Sequence, residues 1–392
     1  MNMLEKALVG SKKYWAWVLF LGALAMSGVY YYLQQFNYGL GITGLSRDVS
    51  WGLYIGQFTF LVGVAASAVM LVIPHYLHDY KKFSKIVILG EFLAIAAVIM
   101  CILFIFVDMG QPMRITNVIL HPTPNSVLFW DSMVLTGYLV LNLMIGWVTL
   151  SADRKGVPPP KWIKPFIYIS VPWAVSIHTV TAFLYAGLPG RHFWLSAVMA
   201  ARFLASAFAG GPALLILLAL IVRKLTKFDP GKEQIQTLGV IVTYAMFANI
   251  FLLGLEFFTA FYSNIPGHME SFKYLYAGLD GHRELVPLMW VSSVFAAVSL
   301  IMLLIPKIRR NEVTLSLACI MLFISLWIDK GFGLVIGGFV PNMLNQVRTY
   351  WPTRQESIIA LGVWAIGFLV LTFLYKIAIT VREESAGIEI EH

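Results

Sequence analysis

Eight ionisable residues of this 392-residue chain stand inside long apolar runs: Glu91, Asp108, Asp131, His178, Arg202, Glu256, Asp329 and Lys330. A charge in hydrocarbon is costly, so such residues are functional candidates by default. The last four sum to zero charge and could pair across helices, serving structure alone. Asp329 and Lys330 are neighbours on a helix, do not face each other, and each needs a partner elsewhere. The first four are three carboxyls and a histidine with no intramembrane cation beside them. Those carboxyls must be protonated, solvated or hydrogen-bonded. At about 1.5 Å rise per residue, Asp108 and Asp131 fall near one membrane face, His178 near the midplane and Glu91 near the other face. Such a ladder could move protons. A helix-end cap or a structural hydrogen bond explains each carboxyl equally well, and a satisfied core histidine explains His178 as well as a proton carrier or quinone ligand does.

The densest polar cluster is expected at the ends of spans two to four. It is carried by SRDVSWGLYIGQF (46–58), DMGQPMR (108–114) and HPTPNSVLFWD (121–131). Arg47, Asp48, Trp51, Tyr54, Gln57, Asp108, Arg114, His121, Asn125, Trp130 and Asp131 could converge there. Aromatic walls with a few donors suit a flat amphipathic ligand. A quinone needs that mix: a ring to pack, carbonyls to hydrogen-bond, and an acid or base for its protons.

Metal chemistry is not expected. An iron–sulfur cluster takes about four thiolates, and the two cysteines, Cys101 and Cys319, lie far apart in apolar runs without a CxxC partner. They read as packed core thiols. A membrane-buried b-type haem usually takes axial histidines from within spans, and of the eight histidines only His178 lies deep in one.

The elements that must hold these residues are helices in lipid. The chain is 59% hydrophobic and only 12% charged, against roughly 25% charged in a soluble domain. Apolar runs long enough to span a bilayer recur along the whole length. Ten spans are expected, at 15–34, 51–74, 86–108, 127–150, 166–187, 195–222, 236–263, 286–306, 313–339 and 358–380. The fold class is an all-α polytopic membrane protein, a single integral membrane domain over 1–392. The segment before the first span has no small-residue cleavage site and reads as a retained helix.

Of the 28 Lys and Arg, nineteen sit at one face, seven at the other, and Arg202 and Lys330 within spans. The excess marks the first face, with both termini, as cytoplasmic, in the cytoplasmic membrane. It also accounts for the net charge of +8 without nucleic acid. Four outer loops, 35–50, 109–126, 264–285 and 340–357, are long and rich in Gly, Pro and aromatics. Trp51, Trp130, Trp194 and Trp351 flank them as an interfacial belt would. Ordinary loop decoration is one reading; an outer functional face with a docked partner is the other.

RDVSWGLYI, opening a span, resembles the start of the core in the NrfD/polysulfide-reductase membrane-anchor family. DMGQPMR and HPTPNSVLFWD resemble that family's next outer loop and helix. The likeness runs over nearly the whole chain, and the ten-span form looks most like the membrane subunit of Dsr-type, sulfite-reduction-associated complexes. It implies two four-helix bundles, spans two to five (51–187) and six to nine (195–339), flanked by a peripheral first helix (15–34) and a last helix (358–380). It implies quinone chemistry at the outer end of the first bundle, with menaquinone as the bound substrate. It implies an extracytoplasmic, ferredoxin-like iron–sulfur subunit on the outer loops, with further membrane, cytochrome or cytoplasmic subunits. The family's charged loop pair carries over onto Asp108 and Arg114, and its Trp–Asp onto Trp130 and Asp131. His178 and Glu91 match no signature. The competing readings are a secondary transporter, drawing on the buried charges and the glycine-rich ninth span, and a purely structural anchor, which leaves the first bundle's carboxyls unexplained.

Overall fold

A computed structural model describes residues 3–66 and 83–385. Among them nine helices are long and apolar enough to cross a membrane, and the chain is an all-α, multi-pass membrane protein. The helices are α1 (Lys12–Tyr38), α2 (Leu53–Ala65), α3 (Ser84–Asp108), α4 (Val127–Lys155), α5 (Lys164–Ala186), α6 (Met199–Leu225), α7 (Lys232–Tyr262), α8 (Pro266–Tyr276), α9 (Val286–Leu304), α10 (Glu312–Trp327) and α11 (Arg354–Ser385). The second expected span, 51–74, is represented by α2, and 67–74 lie outside the described residues. The loop expected at 264–285 contains α8, whose polar face hides it from a hydropathy reading. The last helix starts four residues earlier and ends five residues later than expected, as Arg354–Ser385.

Elementary signals set the ends. Ser11 caps α1, accepting from the Tyr14 amide at 3.3 Å, and Asn311 caps α10, accepting from the Val313 amide at 3.0 Å. Gly156 closes α4 at φ 64°. In lipid every backbone polar group needs an internal partner, so the spans are helical almost throughout.

α2 packs on α3, α3 on α4, α4 on α5, and α5 back on α2; α6, α7, α9 and α10 ring together likewise. The two rings meet where α6 lies against α2 and α5. α11 covers α3 and part of α4, and α1 lies outermost against α11. Burial follows this order: the apolar window of α3 is 83% buried and that of α1 only 17%.

Two glycine contacts fix the closest approaches. A Cβ on Gly28 of α1 would sit 2.6 Å from the Gly362 Cα of α11, so only glycine permits that crossing. A Cβ on Gly56 of α2 would sit 2.6 Å from the Gly331 carbonyl oxygen. Gly331 belongs to a π-helical stretch, Ile328–Leu334, that continues α10. This contact seats the widened turn against α2, between the two rings.

Candidate functional site

α5 carries its polar groups on one face. His178, Thr181 and Tyr185 are spaced three and four apart, so they line a single inward stripe roughly 10 Å long. Asp131, in the first turns of α4, is 1% exposed and accepts from the Thr181 hydroxyl at 2.5 Å. One helical turn further out, Tyr185 meets Thr59 of α2. Thr59 already gives its proton to the Ile55 carbonyl at 2.7 Å, so the Tyr185 hydroxyl donates to Thr59. Above them Tyr185 packs edge-on against Trp51 and Trp194, with ring centroids 5.5 and 5.0 Å apart. Trp51 and Trp194 stack at 5.7 Å, and Phe339 closes the cluster edge-on to both. Trp194 is fully buried and donates to the Leu334 carbonyl at 2.8 Å. It is a core tryptophan rather than the belt residue expected, whereas Trp130 and Trp351 are exposed.

A second polar cluster lies on another face of α2. Tyr54 donates to Gln35 of α1 at 2.8 Å, and the Gln35 amide donates to the Val107 carbonyl at 2.6 Å. Asp108 ends α3 within electrostatic reach of Tyr54, Tyr185 and Glu356. Its Oδ1 is buried without a hydrogen bond among the described residues. Glu356, fully buried at the start of α11, accepts from Tyr350 at 2.5 Å and from the Gly44 amide at 2.8 Å. Tyr350 in turn accepts from the Leu53 amide at 2.7 Å, tying the segment 340–353 to the start of α2. Burial among these groups pushes the Tyr350 phenol well above the usual tyrosine range.

The expected residues therefore do not form one cluster. Asp131 and Trp51 belong to the first group, and Asp108 and Tyr54 to the second. Gln57 faces elsewhere: its Oε1 accepts from Trp327 at 2.7 Å and Trp364 at 2.9 Å, and its Nε2 has no partner among the described residues. Arg114, His121 and Trp130 are exposed on and beside the segment that joins α3 to α4, and the Trp130 indole donates locally to the Pro124 carbonyl at 2.8 Å. Glu91 is buried in α3 with both carboxylate oxygens unpartnered among the described residues. Gly146 of α4 leaves room for it, since a Cβ there would be 3.6 Å from its Oε2. Arg382 and Asp153, paired at 2.9 Å, lie within its electrostatic reach.

The second set of charges pairs as its zero sum suggested, with one exception. Arg202 donates to Glu256 at 2.6 Å and to both oxygens of Asp329 at 2.8 Å. Lys330 is left over. Its Nζ has no hydrogen bond among the described residues and sits 4.0 Å from the Phe203 ring centroid, a cation–π contact. Lys330 and His178 line the same small cavity, together with Thr59, Gly63, Ser206 and Ala207. Sequence reasoning did not join these two residues, because α5 and α10 are far apart in the chain and nothing in either pattern marks the meeting point. Gln35 and Glu356 were missed as well. Both stand near helix ends, where a carboxylate or amide reads as ordinary loop polarity. No group of three or more His, Cys, Asp or Glu able to hold a metal occurs among the described residues.

The chain is similar to known membrane subunits over most of its length. A protein of Halobacterium salinarum named as a dimethyl sulfoxide reductase membrane subunit is 26% identical, over 91% of this chain and 89% of its own. A selenate reductase subunit from Mesobacillus selenatarsenatis is 24% identical, over 90% and 91%. An Hdr-like menaquinol oxidoreductase integral membrane subunit from Archaeoglobus fulgidus is 22% identical, over 96% and 95%. Residues 41–341, which include Asp131, the aromatic wall and the π turn but not Gln35, Tyr350 or Glu356 of the second cluster, match the NrfD family, described as polysulphide reductase. The chain belongs to the NrfD, polysulphide reductase, family.

Proposed function

We propose that this chain is the quinone-reactive membrane subunit of an anaerobic respiratory redox complex. It exchanges electrons between the menaquinone pool and an extracytoplasmic, ferredoxin-like iron–sulfur partner seated on the outer loops. The observation that carries this reading is Asp131, a carboxyl buried in lipid-spanning helices, held by Thr181, one turn beneath the Trp51–Tyr185–Trp194 wall. The name of the Archaeoglobus relative, a menaquinol oxidoreductase subunit, supports the substrate class.

The residues present fit a quinone. The aromatic wall suits a ring, with the Asp131 carboxyl one turn beneath it to hold a proton; the unpartnered Gln57 Nε2 and Asp108 Oδ1 stand on other faces and would act beside that site rather than in it. Bound quinone supplies the two-electron, two-proton chemistry. Asp131 would exchange protons with it at its carboxylate oxygens, and Asp108, in the second cluster, would serve the proton path beside it. Tyr54, engaged by Gln35, orients the Asp108 side. Arg114, His121 and Trp130, exposed at the outer end, line the approach rather than the ring site. Glu91 and His178 extend the proton path inward, and Glu91 faces the Arg382–Asp153 pair on the cytoplasmic side.

In this reading 51–187 is the quinone-bearing four-helix unit, 195–339 the second, and 15–34 and 358–380 the flanking helices. The chain sits in the cytoplasmic membrane with both termini on the cytoplasmic face, as the lysine and arginine excess directs. SRDVSWGLYIGQFTFLVGVAASAVM resembles DsrP of a DsrMKJOP-type complex, and in this reading the chain works with further membrane, cytochrome or cytoplasmic subunits. A secondary transporter would be expected to break helices at the midplane. α10 instead widens over Ile328–Leu334 and resumes as α-helix over Val335–Gly337.

The test is quenching of a fluorescent quinol-analogue inhibitor by the purified chain and by Asp131→Asn. Saturable binding on the order of micromolar, weakened in the variant, is the expected result. Saturable binding untouched by Asp131→Asn moves the ring away from this carboxyl. No saturable binding to the folded chain removes the quinone site from it.

A further inference from the structure

A small cavity between the two helix rings is lined by neither Asp131 nor Trp51. α2 contributes Thr59 and Gly63, α5 contributes His178, α6 contributes Phe203, Ser206 and Ala207, and the widened turn of α10 contributes Lys330. Its volume suits about one water molecule. Two of its walls are basic groups more than nine-tenths buried: His178 is 1% exposed and Lys330 is 3% exposed. Neither ring nitrogen of His178 nor the Lys330 Nζ has a hydrogen bond among the described residues. The Ala174 carbonyl, one turn back on α5, lies near the ring but off hydrogen-bond geometry.

An orphaned buried donor costs about 1–3 kcal/mol, and two facing one water-sized space are relieved by a single bridging molecule. The other lining hydroxyls already donate elsewhere. Ser206 gives its proton to the Phe203 carbonyl at 2.8 Å and Thr59 to the Ile55 carbonyl at 2.7 Å. The charges around Lys330 are fixed rather than free. Arg202 of α6 is bound to Asp329, the residue before Lys330, and to Glu256 of α7. π-helical bulges recur where a helix has been re-aimed for function, and here the widened turn sends Asp329 to Arg202 and Lys330 to the cavity.

We propose that this cavity holds one water bridging His178 and Lys330, and that the bridge passes protons between the two helix rings. A proton on a His178 ring nitrogen goes to the water as the water yields one of its own to the Lys330 amine. Imidazolium, water and amine become imidazole, water and ammonium, so charge and atoms balance. The reverse transfer uses the same atoms. The exchange joins the carboxyl face of α5 to the Arg202–Glu256–Asp329 group. It rests on the proposed function only for what the proton serves, since the bridge requires no quinone.

The test uses the full chain in lipid nanodiscs with ¹⁵N-labelled histidine, the His178 signals being assigned by their loss in His178→Asn. The expected result is a water cross-peak to a His178 ring nitrogen, and a changed ring-nitrogen shift in Lys330→Met. Ala207→Val, which fills the cavity and leaves both basic groups in place, is expected to abolish the cross-peak. It stands as the second route should Lys330→Met misfold. No water cross-peak in the wild type, or one that survives Ala207→Val, overturns the proposal. A His178 shift indifferent to folded Lys330→Met overturns it as well. If the bridge is found and the quinol analogue still fails to bind, the proposed function falls and the exchange site stands.

Discussion

Replacing Arg202 by Met tests whether the second ring is held by charge pairing. The guanidinium makes three short bonds, to Glu256 at 2.6 Å and to both oxygens of Asp329 at 2.8 Å, and all three side chains are at least 90% buried. Met fills similar volume but leaves the two carboxylates without the guanidinium that binds them both. Breaking a buried pair from one side costs about 3–5 kcal/mol, whereas replacing the whole group with neutral partners is often close to neutral. Arg202→Met is therefore expected to lose about 3–5 kcal/mol, and the triple variant Arg202→Met, Glu256→Gln, Asp329→Asn to recover most of it. Equilibrium unfolding in mixed micelles, followed by tryptophan fluorescence, measures both. A single variant costing under about 1 kcal/mol, or a triple variant no more stable than the single, would refute the idea that uncompensated charge dominates here.

Thr181→Val removes the hydroxyl that Asp131 accepts from and is expected to cost about 1.5–3 kcal/mol, read in the same unfolding assay, while weakening the quinol analogue less than Asp131→Asn does. Gly56→Val drives a side chain against the Gly331 carbonyl and is expected to cost at least about 1–3 kcal/mol; Gly63→Ala, 3.5 Å from the Ala207 Cα, is its tolerated control, and equal losses would discount the close approach. His268 on α8 is half-buried, and that burial, reinforced by nearby His192 and opposed by Glu256, holds its pKa below the usual histidine value. A group lowered in the fold supports stability above its unfolded pKa, about 6.5, and loses that support as pH falls below it. His268→Gln should flatten the acid side of a melting-temperature profile between pH 7 and pH 5, and an unchanged slope would assign that region to other groups.

Much of this was legible in composition and periodicity. Apolar length alone located most of the spans, because in lipid the helix is the solution open to a solvent-facing backbone. The zero-sum set Arg202, Glu256, Asp329 and Lys330 pointed to pairing, and three of the four do pair. The odd member was invisible for a geometric reason. Lys330 is re-aimed by a π turn, and a sequence read at 3.6 residues per turn places it on the wrong face. The outer cluster was over-merged for a related reason. Tyr54, Gln57 and Thr59 are five residues apart at most, yet successive helical positions turn by about 100°, so one segment serves Gln35, two tryptophans and Tyr185 separately. α8 escaped because hydropathy finds helices that lipid surrounds, and α8 has a polar face.

The position of α11 bears on how the protein is made. α3, the most buried of the candidate spans, is covered by α11, a helix that leaves the ribosome after every other span described. At one end α11 holds Gly44 and Tyr350 through Glu356; at the other, Arg382 pairs with Asp153, Glu383 accepts from the Lys227 amide, and Glu384 meets Lys6. During synthesis the first ring must therefore wait with one flank open to lipid, and its closure reports that α11 has been made. Membrane quality control that samples loosely packed spans would find α3 exposed in any chain stopped before Arg354, and such chains should be cleared while copies carrying α11 persist.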